Sequence, residues 1–409
     1  MLLPASLSAI ARLLPSPLYV VGGWVRNQLA YGGPRGTDID IASALTPQEV
    51  KAVLSETPVK VVDVNPRIGT VLLTLGGDSY EYTAFRRDSY PLGGVHTPEA
   101  VTFVRDIQED ACRRDFRCNA VYWDIARGCA VDPLDGIEDI RNHLIRTTRT
   151  PKAVFGEDGL RILRLVRLAA RLGWEIEQDT LSTAYEMRAM LRDISWERRR
   201  EEFDAILTAD RAYGNAEGLK TGLDLLSRLK LWPYLVGYEP AAPLVEAACR
   251  IDGDWDVRLA ALLVDRKPNE LLLILGKDGL RYSNKQVKAI THWIALYQGV
   301  QTDTPLPLVA ADCDEDVLRS VTHLLAAFDK DDLACRLAET RAKLLANGVT
   351  LVPQGLAIEA TKLSALGIPD KDLGKALAYV VEQGILMGKA LTEDECMAYA
   401  KRYKEEHLC

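Results

Sequence analysis

Residues 19–41 read YVVGGWVRNQLAYGGPRGTDIDI. An apolar, strand-like run ends in Gly22-Gly23, a short helix-like stretch and a Gly/Pro loop follow, and Asp38-Ile39-Asp40 lies on a second strand-like segment. Side chains two apart on a strand share a face. Asp38 and Asp40 therefore present two carboxylates side by side while Ile39 turns toward the core. Glycine lets the backbone approach a phosphate without side-chain obstruction, and Arg26 offers a cationic fork to the same phosphates. Paired hard oxygen ligands next to a glycine turn suit two Mg²⁺ ions and a nucleoside triphosphate, which points to nucleotidyl transfer. The string GG-x-x-R alone also describes a plain turn. Strands disfavour aspartate, so it is the pair flanking Ile39 that calls for a chemical reason.

The wider chain is compatible with that chemistry. Its 409 residues are 48% hydrophobic and 26% charged, an ordinary globular composition long enough for two to four domains or subdomains. No stretch reaches the length of a membrane span. The apolar N-terminus is broken by prolines and reads as a short helix rather than a signal peptide. Eight cysteines, none in a CxxC pair and none beside a His cluster, read as reduced thiols of a cytoplasmic protein. The net charge of −8 argues against a nucleic-acid partner only for the chain as a whole, because binding follows local patches. Residues 141–200 form such a patch, rich in arginine and poorer in acids; a solvated helical surface is the alternative reading.

Up to about residue 140 the pattern mixes strand and helix. VKVVDV, IGTVLLTLG, SYEYTAFR, AVTFV and NAVYWDIA read as strands of a small sheet. From about 156 onward apolar residues recur at helical spacing almost throughout, with joints expected near 149–156, 237–243 and 303–307. This is an α+β chain, a small mixed-sheet head followed by a long all-helical remainder. Three further motifs carry chemistry. Glu81, in Ser79-Tyr80-Glu81-Tyr82-Thr83, is a candidate third carboxylate beside Asp38 and Asp40, or else a solvent-facing strand residue. Arg113-Arg114-Asp115-Phe116 suits ribose and triphosphate contacts, or is a surface salt-bridge run; Asp132 to Gly136 reads as a structural turn. Glu157-Asp158-Gly159-Leu160-Arg161 opens a helix on which Asp158 and Arg161, three apart, share a face. An Asp acceptor and an Arg donor held there match cytosine (amino group, N3 and O2) and adenine (N6 and N1), whereas G and U would leave buried groups unpaired. An ordinary helix start with an ion pair is the plainer alternative. Arg164 and Arg167 continue the stripe.

In this order the strings resemble the class II tRNA nucleotidyltransferases, the CCA-adding enzymes, of the shorter bacterial type. GGxVRD followed by DxD is matched by Gly22 to Asn27 and by Asp38-Ile39-Asp40, RRDF by Arg113 to Phe116, and EDxxR by Glu157 to Arg161. Ile194 to Arg198 resembles the family's next helix motif, and the segment from Leu366 onward resembles the tail of the shorter members. The resemblance implies a polymerase β-like nucleotidyltransferase head over residues 1–148. An elongated all-helical neck (149–210), body (211–302) and tRNA-binding tail (303–409) would follow. It implies that Asp38, Asp40 and Glu81 bind Mg²⁺ and are the catalytic acids. Gly22, Gly23, Arg26, Arg113, Arg114 and Asp115 would hold triphosphate and ribose. Asp158 and Arg161, supported by Arg164 and Arg167, would select the base. The expected partners are CTP, ATP and the 3′ end of tRNA, and lysines and an arginine of the tail, such as Lys362, Lys371 and Arg402, are candidates for the tRNA elbow.

The chain also departs from the family pattern. Asn27 replaces the usual acid, Asp135 a usual glycine, and Arg117-Cys118 the common Thr-Ile after RRDF. The segment Asp88 to Glu99 keeps the loop length that the family needs for adding the terminal A, yet offers Gly93-Gly94-Val95-His96 in place of a basic pair. Val264 before Asp265 removes the His-Asp phosphohydrolase motif of some relatives. An A-adding-only enzyme, a bacterial poly(A) polymerase and an inactive RNA-binding relative are the rival readings.

Overall fold

A computed structural model describes residues 3–33, 38–90, 100–252 and 254–408. The chain divides into two compact units, Met1–Glu239 and Pro240–Cys409.

The first unit is built on the strands β1 (Tyr19–Val21), β2 (Asp40–Ser43), β3 (Lys60–Asn65), β4 (Thr70–Leu75), β5 (Asp78–Ala84), β8 (Tyr122–Asp124) and β9 (Cys129–Val131), ordered β3-β4-β5-β2-β1-β8-β9. Only β2 and β5 run parallel; the other neighbours are antiparallel. A separate ribbon pairs β6 (Arg86–Ser89) with β7 (Ala100–Phe103), and residues 91–99 between them, which include Gly93 to His96 of the family's loop segment, lie outside the described residues. All five expected strands are present, though AVTFV forms β7 of the ribbon and not a strand of the main sheet; β6 and β9 are additional, as are two short parallel strands, Leu144–Ile145 and Glu175–Ile176. Alternation explains the sheet's inner face: Tyr80, Tyr82 and Ala84 of β5 are buried while Asp78 and Glu81 are exposed.

The N-terminal segment forms helix α1 (Ala5–Leu13), which buries Leu7 and Ile10. Helix α2 (Gly23–Tyr31) starts directly after β1 because Gly22 adopts φ +85°, and it stops at Gly32 in the left-handed region. Helix α3 (Pro47–Leu54) opens with a Thr46/Glu49 capping box and a proline in its first turn. Helix α4 (Ile107–Cys112) precedes the RRDF string, and α5 (Gly136–Arg141) follows the Asp132 turn, whose carboxylate accepts the Gly136 and Ile137 N–H groups, both at 2.8 Å.

Two helices follow where one start was expected. Helix α6 (Pro151–Glu157) ends before Asp158, and α7 (Leu160–Leu172) begins after it. Asp158 itself is extended (φ −146°, ψ 104°), and its Oδ1 accepts the Leu160 N–H at 3.0 Å. Helix α7 carries its buried residues at three/four spacing and packs against α9 (Trp196–Leu207) and α10 (Gly218–Arg228), with α8 (Gln178–Glu186) lying between in sequence. Close approach to α10 depends on Gly222, where a Cβ would come within 2.7 Å of Ile206 and 3.2 Å of Ala170.

The second unit is helical. Among the described residues it holds ten helices, from Ala242–Arg250 to Glu393–His407. Two of them begin with capping boxes, Ser283/Gln286 and Thr392/Glu395. Its C-terminal part encloses an apolar cluster that includes Leu363, Ile368, Val380, Cys396 and Tyr403. No described helix is long and apolar enough to cross a membrane, and none of the described cysteines is in a disulfide.

Candidate active site

The register of β2 against β1 and β5 assembles the acidic corner. Val21 pairs with Asp40 on one side, and Asp40 pairs with Glu81 on the other. The Gly22 turn therefore sits over Asp40, so close that a Cβ on Gly22 would lie 3.6 Å from Asp40 Oδ2. Asp38 precedes β2 rather than lying on it, yet its charge reaches Asp40. Desolvation raises the Asp40 carboxyl above its usual range; Glu81 and Asp38 add like-charge repulsion, while Arg114 opposes it. Asp40 and Glu81 are both exposed, as ligands for an incoming ion must be. Among the described residues no three His, Cys, Asp or Glu side chains are already drawn into a metal cluster.

Asp40 opens onto a cleft of about 590 Å³, a volume ordinary for a small-molecule site. Its lining carries six arginines (Arg86, Arg113, Arg114, Arg161, Arg164, Arg198) against four aspartates (Asp40, Asp88, Asp115, Asp158), together with Gly22, Tyr90 and Asn119. That balance favours a polyanionic ligand. A smaller recess joins Asp40, Glu81, Arg86, Arg113 and Arg114. Of the residues singled out from sequence, Gly22, Asp40, Arg113, Arg114, Asp115, Asp158, Arg161 and Arg164 thus line one cleft, and Glu81 lines the recess that shares its arginines.

Others take supporting positions. Arg26 is buried, not in the lining: its Nη1 donates to Asn119 Oδ1 at 2.5 Å, and its Nε and Nη2 donate to Asn27 Oδ1 at 3.1 and 2.9 Å. Asn119 donates on to Asp115 at 3.3 Å, and Asp115 accepts two bonds from Arg164, at 2.6 and 2.8 Å. Burial would raise the Asp115 carboxyl, but the Arg164 guanidinium holds it well below the usual carboxylate range. Arg26 is thus linked through Asn119 to the RRDF aspartate. Arg167 pairs with Glu202 at 3.0 Å instead of facing the cleft. Gly23 carries no lining role either; a Cβ there would contact Arg26 at 3.4 Å.

Asp158 and Arg161 meet at the cleft by a different route from a shared helix face. Asp158 caps α7 from an extended position because α6 has already ended, and Arg198 of α9 reaches its Oδ2 at 3.4 Å. Arg161 is held by the Val154 carbonyl at 3.1 Å, Glu157 at 3.0 Å and the Arg113 carbonyl at 2.9 Å, with its guanidinium over the Tyr90 ring. The candidate base-reading arginine is thereby tied to the candidate phosphate-binding one.

Sequence reading gave no site role to Asn65, Ile68, Arg86, Tyr90 or Asn119 of the lining or to Asp110 behind it, and it named Asp88 and Arg198 only as ends of the family's loop and next helix motif. Arg86 and Asp88 stand two apart on β6 and pair at 2.9 Å, a same-face signal present in the string RRDS. At least half of the arginine-rich stretch is paired with acids: six of its twelve arginines, Arg146, Arg149, Arg161, Arg164, Arg167 and Arg198, make ion pairs, some with acids outside the stretch. In the tail, Lys362 pairs with Glu393 and Arg402 with Glu406.

Comparison with known proteins agrees with this geometry. Residues 18–146 match the family model described as the Poly A polymerase head domain. The CCA-adding enzyme of Geobacillus sp. (strain WCH70) is 38% identical over 232 residues, 57% of this chain and 54% of that protein. The chain spans about half the length of the first such curated relatives. The CCA-adding enzyme of Limosilactobacillus fermentum is 33% identical over 298 residues, 70% of this chain and 68% of that protein. The crystal structure of the Bacillus stearothermophilus CCA-adding enzyme in complex with CTP superposes with a TM-score of 0.74 at 27% identity, covering 99% of this chain and 98% of that one. With these matches, and the Gly22 turn, the Asp40–Glu81 register and the RRDF and EDxxR strings around one cleft, the chain belongs to the CCA-adding enzyme family.

Proposed function

We propose that the protein adds C, C and A to the 3′ end of tRNA without a nucleic-acid template, using CTP and ATP and releasing pyrophosphate. The register of Asp40 against Glu81 beneath the Gly22 turn, in a cleft that also holds Asp158 and Arg161, carries this reading. The Bacillus stearothermophilus relative, solved with CTP, supports it.

The donor set fits a hard divalent cation. Asp40 and Glu81 are neighbouring carboxylates, Asp38 lies within their field, and their mutual repulsion is what a cation relieves. Asp38, Asp40 and Glu81 would hold Mg²⁺, which when bound neutralises the triphosphate and lowers the pKa of an attacking hydroxyl. Arg113 and Arg114 bind the triphosphate and ribose, and Gly22 leaves room for the phosphates. Asp158 accepts from the amino group of cytosine or adenine, while Arg161 donates to N3 and O2 of the one or N1 of the other. A keto group at the same place would face the Asp158 carboxylate and be rejected. With the nucleotide so held, the RNA 3′-oxygen attacks the α-phosphorus in line. The bond from the α-phosphorus to the bridging oxygen breaks, pyrophosphate leaves with that electron pair, and the hydroxyl proton passes to solvent. On the same reading the head spans 1–148, the neck 149–210, the body 211–302 and the tRNA-binding tail 303–409, and the enzyme works in the cytoplasm.

The test is to incubate the protein with tRNA lacking its 3′ end and with each labelled nucleotide. C incorporated first, then one A, then arrest is expected. Long A tracts would indicate a poly(A) polymerase, A without C an A-adding enzyme, and no incorporation an inactive relative; each would reject the proposal.

A further inference from the structure

Behind the arginine pair lies a carboxylate that has no role in the chemistry above. The Asp110 side chain, on α4, is 0% exposed, and a carboxylate buried that deeply is costly unless its lone pairs are all used. Here they are. Its Oδ1 accepts from Arg113 Nε at 2.8 Å and from the Arg86 backbone N–H at 3.2 Å. Its Oδ2 accepts from the Tyr122 hydroxyl at 2.6 Å and from Arg114 Nη2 and Nε at 3.1 and 3.3 Å. Arg114 Nε also donates to the Tyr122 oxygen at 3.0 Å.

A guanidinium is planar, so fixing its Nε edge fixes where its terminal nitrogens point. Among the described residues the Nη atoms of Arg113 and the Nη1 of Arg114 make no hydrogen bond, and both side chains line the cleft. Burial alone would raise the Asp110 carboxyl; the Arg114 and Arg113 guanidiniums outweigh it and bring it down to about 2. The anion is therefore permanent at neutral pH. Its spacing of three and four residues before the arginines resembles a surface ion pair, but complete burial excludes that role.

We propose that Asp110 is a positioning residue for the triphosphate: it orients Arg113 and Arg114 before the nucleotide arrives, with Tyr122 completing the lock. The inference rests on the nucleotide reading of the cleft and deepens it. Arginines ordered in advance lose less side-chain entropy on binding. The effect falls on phosphates, which every nucleotide shares, and leaves the base contacts of Asp158 and Arg161 alone.

The test uses the full chain and the variants Asp110→Asn and Tyr122→Phe. Affinities for pyrophosphate, CTP and ATP are measured by calorimetry, steady-state constants on tRNA lacking its 3′ end, and folding by circular dichroism. Asp110→Asn is expected to weaken all three ligands by about tenfold, to raise KM more than it lowers kcat, and to leave the ratio of C to A selectivity unchanged. Tyr122→Phe should move the same quantities in the same direction by a smaller factor. Wild-type pyrophosphate affinity in folded Asp110→Asn would overturn the inference; should that variant not fold, wild-type affinity in Tyr122→Phe would overturn it. A wild-type protein that binds neither CTP nor ATP would instead overturn the nucleotide reading itself.

Discussion

At the scale of single residues, the cleft is built from side chains whose neighbours decide their work. Asp158 faces the cleft with one oxygen spent on capping α7 and the other near Arg198. Asp158→Ala is expected to relax nucleotide choice, so that GTP and UTP compete with CTP at least tenfold better than in wild type, the order of one buried hydrogen bond. Competition assays on tRNA lacking its 3′ end check it, and unchanged selectivity would mean that the base is read elsewhere. Asp135 makes a separate point. It stands at φ 59°, in the left-handed region, with no side-chain cap bond, where the family pattern has glycine. Asp135→Gly should stabilise the fold by about 0.5 kcal/mol, since relief of the left-handed strain slightly exceeds the entropy of an added glycine; thermal unfolding measures it. Side-chain identity was legible at this scale, but partnership was not. Arg26 was expected to grip phosphate because it follows Gly22-Gly23, and the structure turns it onto Asn27 and Asn119. Asp110 drew no reading from the sequence because its burial and partners come from β6 and β8, elements distant in sequence.

At the scale of elements, what matters is register and close approach. The pairing of Asp40 with Glu81 comes from the one parallel contact in the sheet, between strands separated by two others in sequence. The alternation within each strand was readable; which strands become neighbours was not. The helix that should have carried both Asp158 and Arg161 is interrupted at Asp158, because its carboxylate satisfies the Leu160 N–H and so ends one helix by starting another. Helix α5 backs the segment that follows RRDF: a Cβ on Gly136 would lie 2.2 Å from the Arg117 carbonyl oxygen and 2.8 Å from Val121. Gly136→Ala is therefore expected to cost about 1–3 kcal/mol by overpacking, read as a shift of the denaturant midpoint. The Asp110 node also predicts a pH dependence. Its pKa is lowered from 3.8 to about 2 on folding. The stability it contributes is thus present above the unfolded value of 3.8 and is lost as pH falls through about 2. The loss is on the order of 2 kcal/mol. The stability gap between wild type and Asp110→Asn should accordingly narrow as pH drops through that window, checked by denaturant titrations; a gap independent of pH would contradict it.

At the scale of the whole molecule, the switch from alternating to three/four spacing near residue 150 marks the passage from mixed sheet to helices within the first unit, not the boundary between the units, and both units carry the helix starts that their capping residues dictate. The division of the chain after Glu239 falls in the 237–243 segment, where Gly237, Pro240 and Pro243 interrupt the helical pattern. The pairing of part of the arginine-rich stretch was not foreseen, because the acidic partners Asp115, Asp139 and Glu202 lie outside it and are brought in by folding. The central claim is that Asp38, Asp40 and Glu81 form the acidic corner at which the nucleotide reacts. Asp40→Ala tests it most directly, with single-turnover incorporation of labelled C and tRNA binding measured on the same preparation. Incorporation should fall by about a thousandfold or more while tRNA affinity stays within about twofold, as for a surface the substitution does not touch. Incorporation at the wild-type rate would contradict the assignment.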